Sequence, residues 1–266
     1  EEYRSGEELL PAGTRLNAGG IGLLASAGVE TVSVIPQPKV AIFSTGDELV
    51  ELGQEPGPGQ IINSNLQYLI SRLQECGCIP LPLGIGADRD EDLARVLDQC
   101  QDADLLISTG GVSVGEKDLV QQTLIQHGFE RKFWKVAIKP GKPVLFGTLK
   151  GKPCFGLPGN PAATAATFEL FVRPALALLT GNSEAQPARR IARLKNNVKG
   201  GGKRQSFLWC HCDWTDSGYL VEVPDRQGSG QARSIQGANA LLSIAIDNPD
   251  LAAGTEVEII LLRLPH

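Results

Sequence analysis

Residues 105–118 read LLISTGGVSVGEKD, and this stretch decides the fold. The apolar residues at its start predict a buried strand, the paired glycines predict a tight turn, and a helix is predicted to begin near Asp118. Glycines let backbone N–H groups approach an anionic ligand, and a helix N-terminus favours negative charge. In open α/β sheets, ligands bind at the carboxyl ends of the strands. The stretch therefore predicts a phosphate site at one edge of such a sheet.

Three further turns of this kind lie in the first two-thirds of the chain. Residues 44–49 read STGDEL, residues 139–143 read KPGKP and residues 157–161 read LPGNP. The first and the last follow apolar strands, whereas the KPGKP turn lies between two strands. Several Gly-rich turns in one domain predict a site for a phosphorylated small molecule.

Strand and helix patterns alternate from residue 38 to residue 181. This alternation predicts an α/β fold in which a parallel sheet carries helices on both faces. Residues 1–37, with a predicted strand at 31–35, are interpreted as the remnant of an N-terminal domain. The predicted strands of the α/β domain are residues 40–44, 79–85, 104–108, 132–138, 144–147 and 154–156, and the last helix covers residues 162–179.

The helical pattern ends after a polar linker at residues 182–187. Apolar and polar residues then alternate, as at 219–223 and 256–261, and Gly- and Asp-rich turns separate these runs. This pattern predicts a small all-β domain over residues 187–266, either a barrel or a sandwich.

Composition limits the function classes. The net charge of −5 gives no general attraction to nucleic acid. Residues 1–186 carry 15 basic and 22 acidic side chains, which suggests carboxylates that handle a metal beside lysines that handle phosphate. No run approaches 18 uninterrupted apolar residues, so no transmembrane helix is expected. The chain contains no Met, so we expect it to be a fragment or a processed form.

The six cysteines have two interpretations. We favour small apolar fillers in a reducing cytosol over metal ligands, because a tetrahedral site needs four convergent ligands. The chain also has neither a P-loop nor a G-x-G-x-x-G motif.

Acidic and basic candidates surround the predicted phosphate site. Glu48, Asp88 and Asp118 follow three successive strands, and Mg²⁺ prefers a few carboxylates together with phosphate oxygens. Alternatively, Asp118 caps its helix and the turn that holds Glu48 is only solvated. Lys135, Lys139 and Lys142 flank or lie in the KPGKP turn, where a lysine acts either as a point charge on phosphate or as a surface residue.

STGDEL, STGGVSVGEKD, KPGKP and LPGNP, in this order and spacing, closely resemble the molybdopterin molybdenumtransferase family, which includes MoeA and the gephyrin E domain. The resemblance covers essentially all 266 residues. It implies a molybdopterin-binding domain at 38–181 and a C-terminal β-barrel at 187–266. It also implies the reaction: molybdate is inserted into adenylylated molybdopterin with Mg²⁺, AMP is released and the molybdenum cofactor forms.

The resemblance assigns roles by matched position. It implies that Glu48, Asp88 and Asp118 hold Mg²⁺, and that Lys135 and Lys139 bind molybdate or phosphate. It further implies a cytoplasmic enzyme that is a homodimer at full length and contacts the adenylyltransferase that supplies its substrate, with neither nucleic acid nor membrane as a partner. The implied cofactor-binding residues are Thr45, Gly46, Asp47, Gly110, Gly111, Ser113, Gly115, Lys142, Pro158, Gly159, Asn160, Pro161 and Ser229.

The chain departs from the family pattern in three places. Asn63 stands where the family usually has Asp, and Trp209 stands where it often has Arg; the family's Gly-Glu-Asp element appears only as residues 1–2. The family also has roughly another half-chain before this point, which bears on dimerisation and activity. Two alternatives therefore stay open: a related molybdopterin adenylyltransferase or nucleotide hydrolase, and a catalytically silent pterin-binding or scaffold module.

Overall fold

The computed structural model describes residues 3–86, 90–111, 119–182 and 186–264. The helix at Pro161–Leu179 contains a π-helical turn, Phe168–Val172. In chain order the elements are α1 (Ala18–Ser26), β1 (Lys39–Thr45), β2 (Leu49–Val50), β3 (Ile61–Ile62), α2 (Ser64–Glu75), β4 (Ile79–Gly86), α3 (Asp90–Gln99), β5 (Leu105–Thr109), α4 (Leu119–Gln126), β6 (Phe129–Trp134), β7 (Ile138–Lys139), β8 (Leu145–Leu149), β9 (Lys152–Leu157), α5 (Pro161–Thr167), α6 (Arg173–Leu179), β10 (Arg189–Leu194), β11 (Gln205–Thr215), β12 (Gly218–Glu222), β13 (Ala240–Ile244) and β14 (Glu256–Leu261).

A six-stranded sheet with the order β4-β1-β5-β9-β8-β6 forms the first domain. Strands β4, β1, β5 and β9 are parallel, so their carboxyl ends meet at one edge of the sheet. Strand β8 pairs antiparallel with both β9 and β6, so the predicted parallel sheet carries an antiparallel edge. The reason is the two-residue turn between β8 and β9, which can join only antiparallel neighbours.

Both faces of this sheet are covered, as predicted. Helices α3 and α4 bury Leu97 and Leu124 against Phe43 of β1 on one face. On the other face α2 and the π-helical turn bury Leu69 and Phe168 against the same sheet. The predicted α/β class is therefore confirmed.

The second sheet is a closed barrel with the order β12-β10-β14-β13-β11, in which β12 also pairs with β11. The alternating pattern predicted either a barrel or a sandwich, and the structure shows a barrel. Strand β7 of the first domain adds to β11 in parallel, with Lys139 opposite Ser206. This pairing attaches the KPGKP turn to the wall of the barrel.

Two predicted strands were wrong. Residues 31–35 form no strand, and Val34 and Ile35 are 65% and 55% exposed. The predicted strand at 132–138 is interrupted because Lys135 has a positive φ of 66°. No extended strand continues through such a residue, so β6 ends at Trp134 and β7 is separate.

One helix, Pro161–Leu179, is long and apolar enough to cross a membrane by length and composition. Its side chains at 162–169 are buried, and Phe168, Val172 and Leu176 belong to the core beneath the first sheet. Its opposite face packs Ala162 and Ala166 against the barrel. Burial on both sides is typical of a core helix.

Candidate functional site

Three Gly-rich turns converge at the carboxyl edge of the first sheet. Gly110 has a φ of 85°, and a Cβ atom there would lie 2.1 Å from the carbonyl oxygen of Thr45. Its N–H donates to the carbonyl of Leu157 over 3.1 Å. A Cβ on Gly159 would lie 3.6 Å from Cα of Gly110. Only glycine at position 110 allows this close approach to Thr45, which explains the first glycine of the STGG turn.

Two asparagines at the start of α2 hold these turns. The side-chain amide of Asn65 donates to Oγ1 of Thr109 over 3.2 Å and to the carbonyl of Gly159 over 2.7 Å. Asn63 is buried, and its Oδ1 accepts from Oγ of Ser44 over 2.9 Å and caps α2. The amide at 63 therefore provides an oxygen for capping without the negative charge that an aspartate would carry there.

Buried polar atoms without a partner in the described part of the chain lie at the same edge. They are Oγ1 of Thr45, Nδ2 of Asn63 and Oγ of Ser108. An unsatisfied buried polar group costs about 1–3 kcal/mol, so such groups normally meet a ligand or a water molecule. Their position beside the Gly-rich turns is typical of a polar ligand site.

The acidic loop after β1 is exposed. The Glu48 carboxylate folds back over Gly46, where a Cβ atom would lie 2.8 Å from its Oε2, and Asp47 is also exposed. The other predicted metal ligands, Asp88 and Asp118, lie outside the described residues, as do Ser113 and Gly115. Among the residues that the structure describes, no group of three His, Cys, Asp or Glu side chains gathers around a metal-sized space. The acidic cluster therefore stays a prediction.

A cleft of about 1140 Å³ separates the KPGKP and LPGNP turns from the barrel. Five of the predicted residues line it, namely Lys139, Lys142, Pro158, Asn160 and Ser229. Nδ2 of Asn160 donates to Oγ of Ser229 over 3.2 Å, and the carbonyl of Ser229 accepts the N–H of Ala162 over 3.0 Å. Pro161 occupies the first turn of α5, where its missing N–H costs nothing. The structure thus joins a barrel serine to the start of a helix in the first domain.

Two cationic residues in this cleft escaped the sequence analysis. Arg204 and Lys199 of the barrel line it opposite the KPGKP turn, and Nη1 of Arg204 donates to the carbonyl of Ile138 over 3.0 Å. Across residues 3–86, 90–111, 119–182 and 186–264, no ion pair neutralises these two side chains, Lys139 or Lys142. The one feature of the sequence that could have pointed to Arg204 is the pair of basic residues at 203–204, which follows three consecutive glycines.

Lys135 and Trp209 lie away from this cleft. The ammonium group of Lys135 stands 3.7 Å above the ring of Trp134, in a cation–π contact. Trp209 is 2% exposed and packs against α5, and its backbone bonds to the side chain of Gln227. The structure therefore brings Lys139 and Lys142 together but not Lys135.

Comparisons with known proteins agree with this architecture. Residues 41–178 match the family model of a probable molybdopterin binding domain, and residues 191–262 match that of the MoeA C-terminal region (domain IV). The chain is 36% identical over 99% of its length to a Nostoc molybdopterin molybdenumtransferase, and 34% identical over 97% to that of Haemophilus influenzae. It spans 61% and 65% of the lengths of those two relatives.

A solved structure has the same fold. The molybdopterin biosynthesis moeA protein from Pyrococcus horikosii superposes with a TM-score of 0.79 at 32% identity. The match covers 95% of this chain and 61% of that one. Both domains of the chain therefore have counterparts in one known protein.

Proposed function

Because the chain belongs to the molybdopterin molybdenumtransferase family, which includes MoeA, we propose that it acts in molybdenum cofactor biosynthesis and inserts molybdate into adenylylated molybdopterin. The two thiols of the pterin dithiolene would form Mo–S bonds as one molybdate oxygen leaves with their protons as water, and a second water molecule would cleave the phosphoanhydride and release AMP. The products are AMP and the molybdenum cofactor.

The cationic cleft carries this proposal. Molybdate is a dianion and the pyrophosphate of the substrate is also anionic, so both need positive charge that internal ion pairs do not neutralise. Lys139 and Lys142 supply that charge from the first domain and Arg204 and Lys199 supply it from the barrel, so these four cations outnumber the two carboxylates of the lining, Asp225 and Asp250. Ser229 adds a hydroxyl at the same place. Because lysine acts as a point charge and arginine as a planar fork, the cleft suits a compact oxyanion.

The sheet edge suits the pterin pyrophosphate. The backbone N–H of Gly111 and the hydroxyls of Thr45 and Ser108 offer hydrogen bonds without bulky side chains. Pro158 lines the cleft directly after β9, whose end lies at this edge. The substrate would therefore extend from the Gly-rich turns toward the lysines.

Mg²⁺ is part of the proposal. The exposed carboxylate of Glu48, which has no ion-pair partner in the described ranges, fits the oxygen chemistry that Mg²⁺ requires. Asp88 and Asp118 would complete the ligand set. When bound, the ion would neutralise charge on the pyrophosphate and favour its cleavage.

Assembly and domain limits are further proposals. We infer the domains at 38–181 and 187–266, with residues 1–37 as the remnant of an N-terminal domain. A cytoplasmic homodimer that contacts the adenylyltransferase is the arrangement that the family resemblance supports. Sedimentation of the purified chain tests the dimer directly.

AMP release from adenylylated molybdopterin tests the reaction. The assay compares wild type, Lys142→Ala and Lys203→Ala, with and without molybdate and Mg²⁺. Lys203 is exposed, carries the same charge and does not line the cleft, so it is the matched control. We expect molybdate-dependent release that Lys142→Ala lowers roughly tenfold and Lys203→Ala leaves unchanged.

The same experiment separates the alternatives. Pterin binding without AMP release would favour a silent binding or scaffold module. Formation of adenylylated product from ATP would favour an adenylyltransferase. Equal activity of Lys142→Ala and Lys203→Ala would refute the cationic cleft as the molybdate site.

A further inference from the structure

A second cavity lies at the edge of the first sheet that is opposite the Gly-rich turns. Its volume is about 340 Å³, and it lies where β5 and β9 begin and where α3 and α4 end. Ligand pockets in proteins span roughly 300–1,000 Å³. None of its lining residues lines the larger cleft. Strand β5 separates it from the Gly110 turn by about 15 Å, since each strand residue rises about 3.3 Å.

The walls of this cavity are apolar. Burial raises the pKa of the Cys100 thiol to about 11, so this wall residue is neutral at pH 7. The wall residues, all more than nine-tenths buried, are Leu97, Cys100, Ala103, Leu105, Leu106 and Leu149. An apolar ligand body would be removed from water on several sides.

The rim is positively charged. Lys150 and Lys152 carry the positive charge at the opening, where His127 and Gln101 also lie, and no carboxylate lines the cavity among the residues that the structure describes. Nζ of Lys152 donates to the carbonyl of Gln101 over 2.5 Å, and this neutral acceptor leaves the charge uncompensated. Neither lysine forms an ion pair with any residue that the structure describes. The chain has a net charge of −5, so this rim is a positively charged patch on an otherwise acidic protein.

The hairpin between β8 and β9 fixes one of these lysines. Leu149 pairs with Lys152, and the two turn residues, Lys150 and Gly151, have φ values of 51° and 80°. Two positive φ values are the geometry of a tight type I′ turn, in which a lysine is uncommon. The backbone of Lys150 is therefore held at the cavity mouth.

We propose that this cavity is a binding site for a small amphipathic carboxylate, such as a medium-chain fatty acid anion. The apolar body lies among the leucines, and the carboxylate meets Lys150 and Lys152 at the rim. A cationic ligand is repelled by the rim, an uncharged ligand leaves both lysines unused, and an inorganic oxyanion leaves the apolar walls empty. The site is independent of the molybdate reaction, because it shares no residue with the proposed catalytic cleft.

Titration with octanoate, octanol and octylammonium tests the proposal. Each ligand is added to the ¹⁵N-labelled chain, and amide shifts give both the affinity and the location. We expect saturable binding of octanoate that moves the amides of Ala103, Leu106 and His127, with weaker binding of the other two ligands. Reversing the charge by Lys150→Glu should weaken octanoate roughly tenfold and leave octanol unchanged. Lys203→Glu makes the same charge change on the barrel and should leave both affinities unchanged.

Three results would overturn the proposal. The first is the absence of saturable octanoate binding at millimolar concentrations, and the second is equal affinity for octanoate and octanol. The third is a set of shifted amides that lies at the larger cleft. Lys150 is exposed, so Lys150→Glu is expected to fold and a negative result stays interpretable.

Discussion

Replacing Glu169 by Gln should remove a large part of the stability of the first domain. Glu169 is 1% exposed on the π-helical turn, and its carboxylate accepts from Nε and Nη2 of Arg72 over 2.6 and 3.2 Å. Nη1 of Arg173 donates to it over 3.1 Å. Burial lowers the pKa of Arg72, but the hydrogen bond and the charge of Glu169 outweigh burial and raise that pKa above its usual value.

The size of the stability loss follows from the positive charge of Arg72, which the substitution leaves buried. A glutamine offers one acceptor oxygen and points an NH₂ group at a guanidinium, so Arg72 stays buried without its main counter-charge. Breaking a buried ion pair in this way costs about 3–5 kcal/mol. For a chain of this size, each kcal/mol corresponds to roughly 2–4 °C in Tm. We therefore expect the melting temperature to fall by roughly 10 °C.

Urea unfolding, followed by circular dichroism and by tryptophan fluorescence, measures the effect. We expect a lower midpoint with an unchanged slope, because the same surface is exposed on unfolding. Glu222→Gln is the matched control, since Glu222 pairs with Lys195 where both side chains are about half exposed, and it should change little. Changing both Arg72 and Glu169 to Met should restore part of the loss, because neither charge then stays buried. A loss no greater than that of the control would show that the buried pair is solvated and would refute the reasoning.

Three other predictions concern the Gly110 turn, the ion pair between Glu75 and Arg263, and the cleft. Gly110→Ala should lower the free energy of unfolding by at least about 2 kcal/mol, because its Cβ would lie 2.1 Å from a carbonyl oxygen in a residue with a φ of 85°. If the variant is as stable in urea as the wild type, the turn rearranges and this prediction is wrong. Burial raises the pKa of Glu75, but the hydrogen bond and charge of Arg263 outweigh burial and hold that pKa below its usual value. The stabilisation that the Glu75–Arg263 pair provides should therefore be complete above about pH 4.3 and be lost as the pH falls further. Glu75→Gln should weaken this acid dependence of the free energy of unfolding, measured from about pH 5 to 3. Ser229→Ala should weaken molybdate binding roughly fivefold in a calorimetric titration through loss of one hydroxyl, whereas an unchanged affinity would assign that hydroxyl only to its bond with Asn160.

The fold was predictable where local patterns are strong. Strands β1 and β5 contain continuous apolar runs at 40–43 and 105–107, and buried parallel strands are typically built on such runs. Period-two alternation predicted the all-β domain and left barrel and sandwich open, and the family resemblance implied the barrel. The wrong strand at 31–35 had the same β-branched composition, but only a sheet partner turns composition into a strand, and none exists among the described residues. All six cysteines were interpreted as apolar fillers, and five of them are buried while Cys76 is half-buried.

The candidate site was only partly predictable. The Gly-rich turns were identified because glycine at a strand end has a backbone reason that is visible in the sequence. Lys135 was grouped with Lys139 by proximity along the chain, yet its positive φ directs it to Trp134. Arg204 was missed because its approach to Ile138 depends on the pairing of β7 with β11.

The sequence by itself determined the Gly-rich turns, the α/β domain, the barrel and the family, because each depends on residues that are near one another in the chain. Only the tertiary structure decided which side chains share the cleft. Asn160 and Ser229 are 69 residues apart, and they meet because α5 packs its small residues against the barrel. Sequence spacing carries no information about such a contact, since it arises from how two separately folded surfaces fit together.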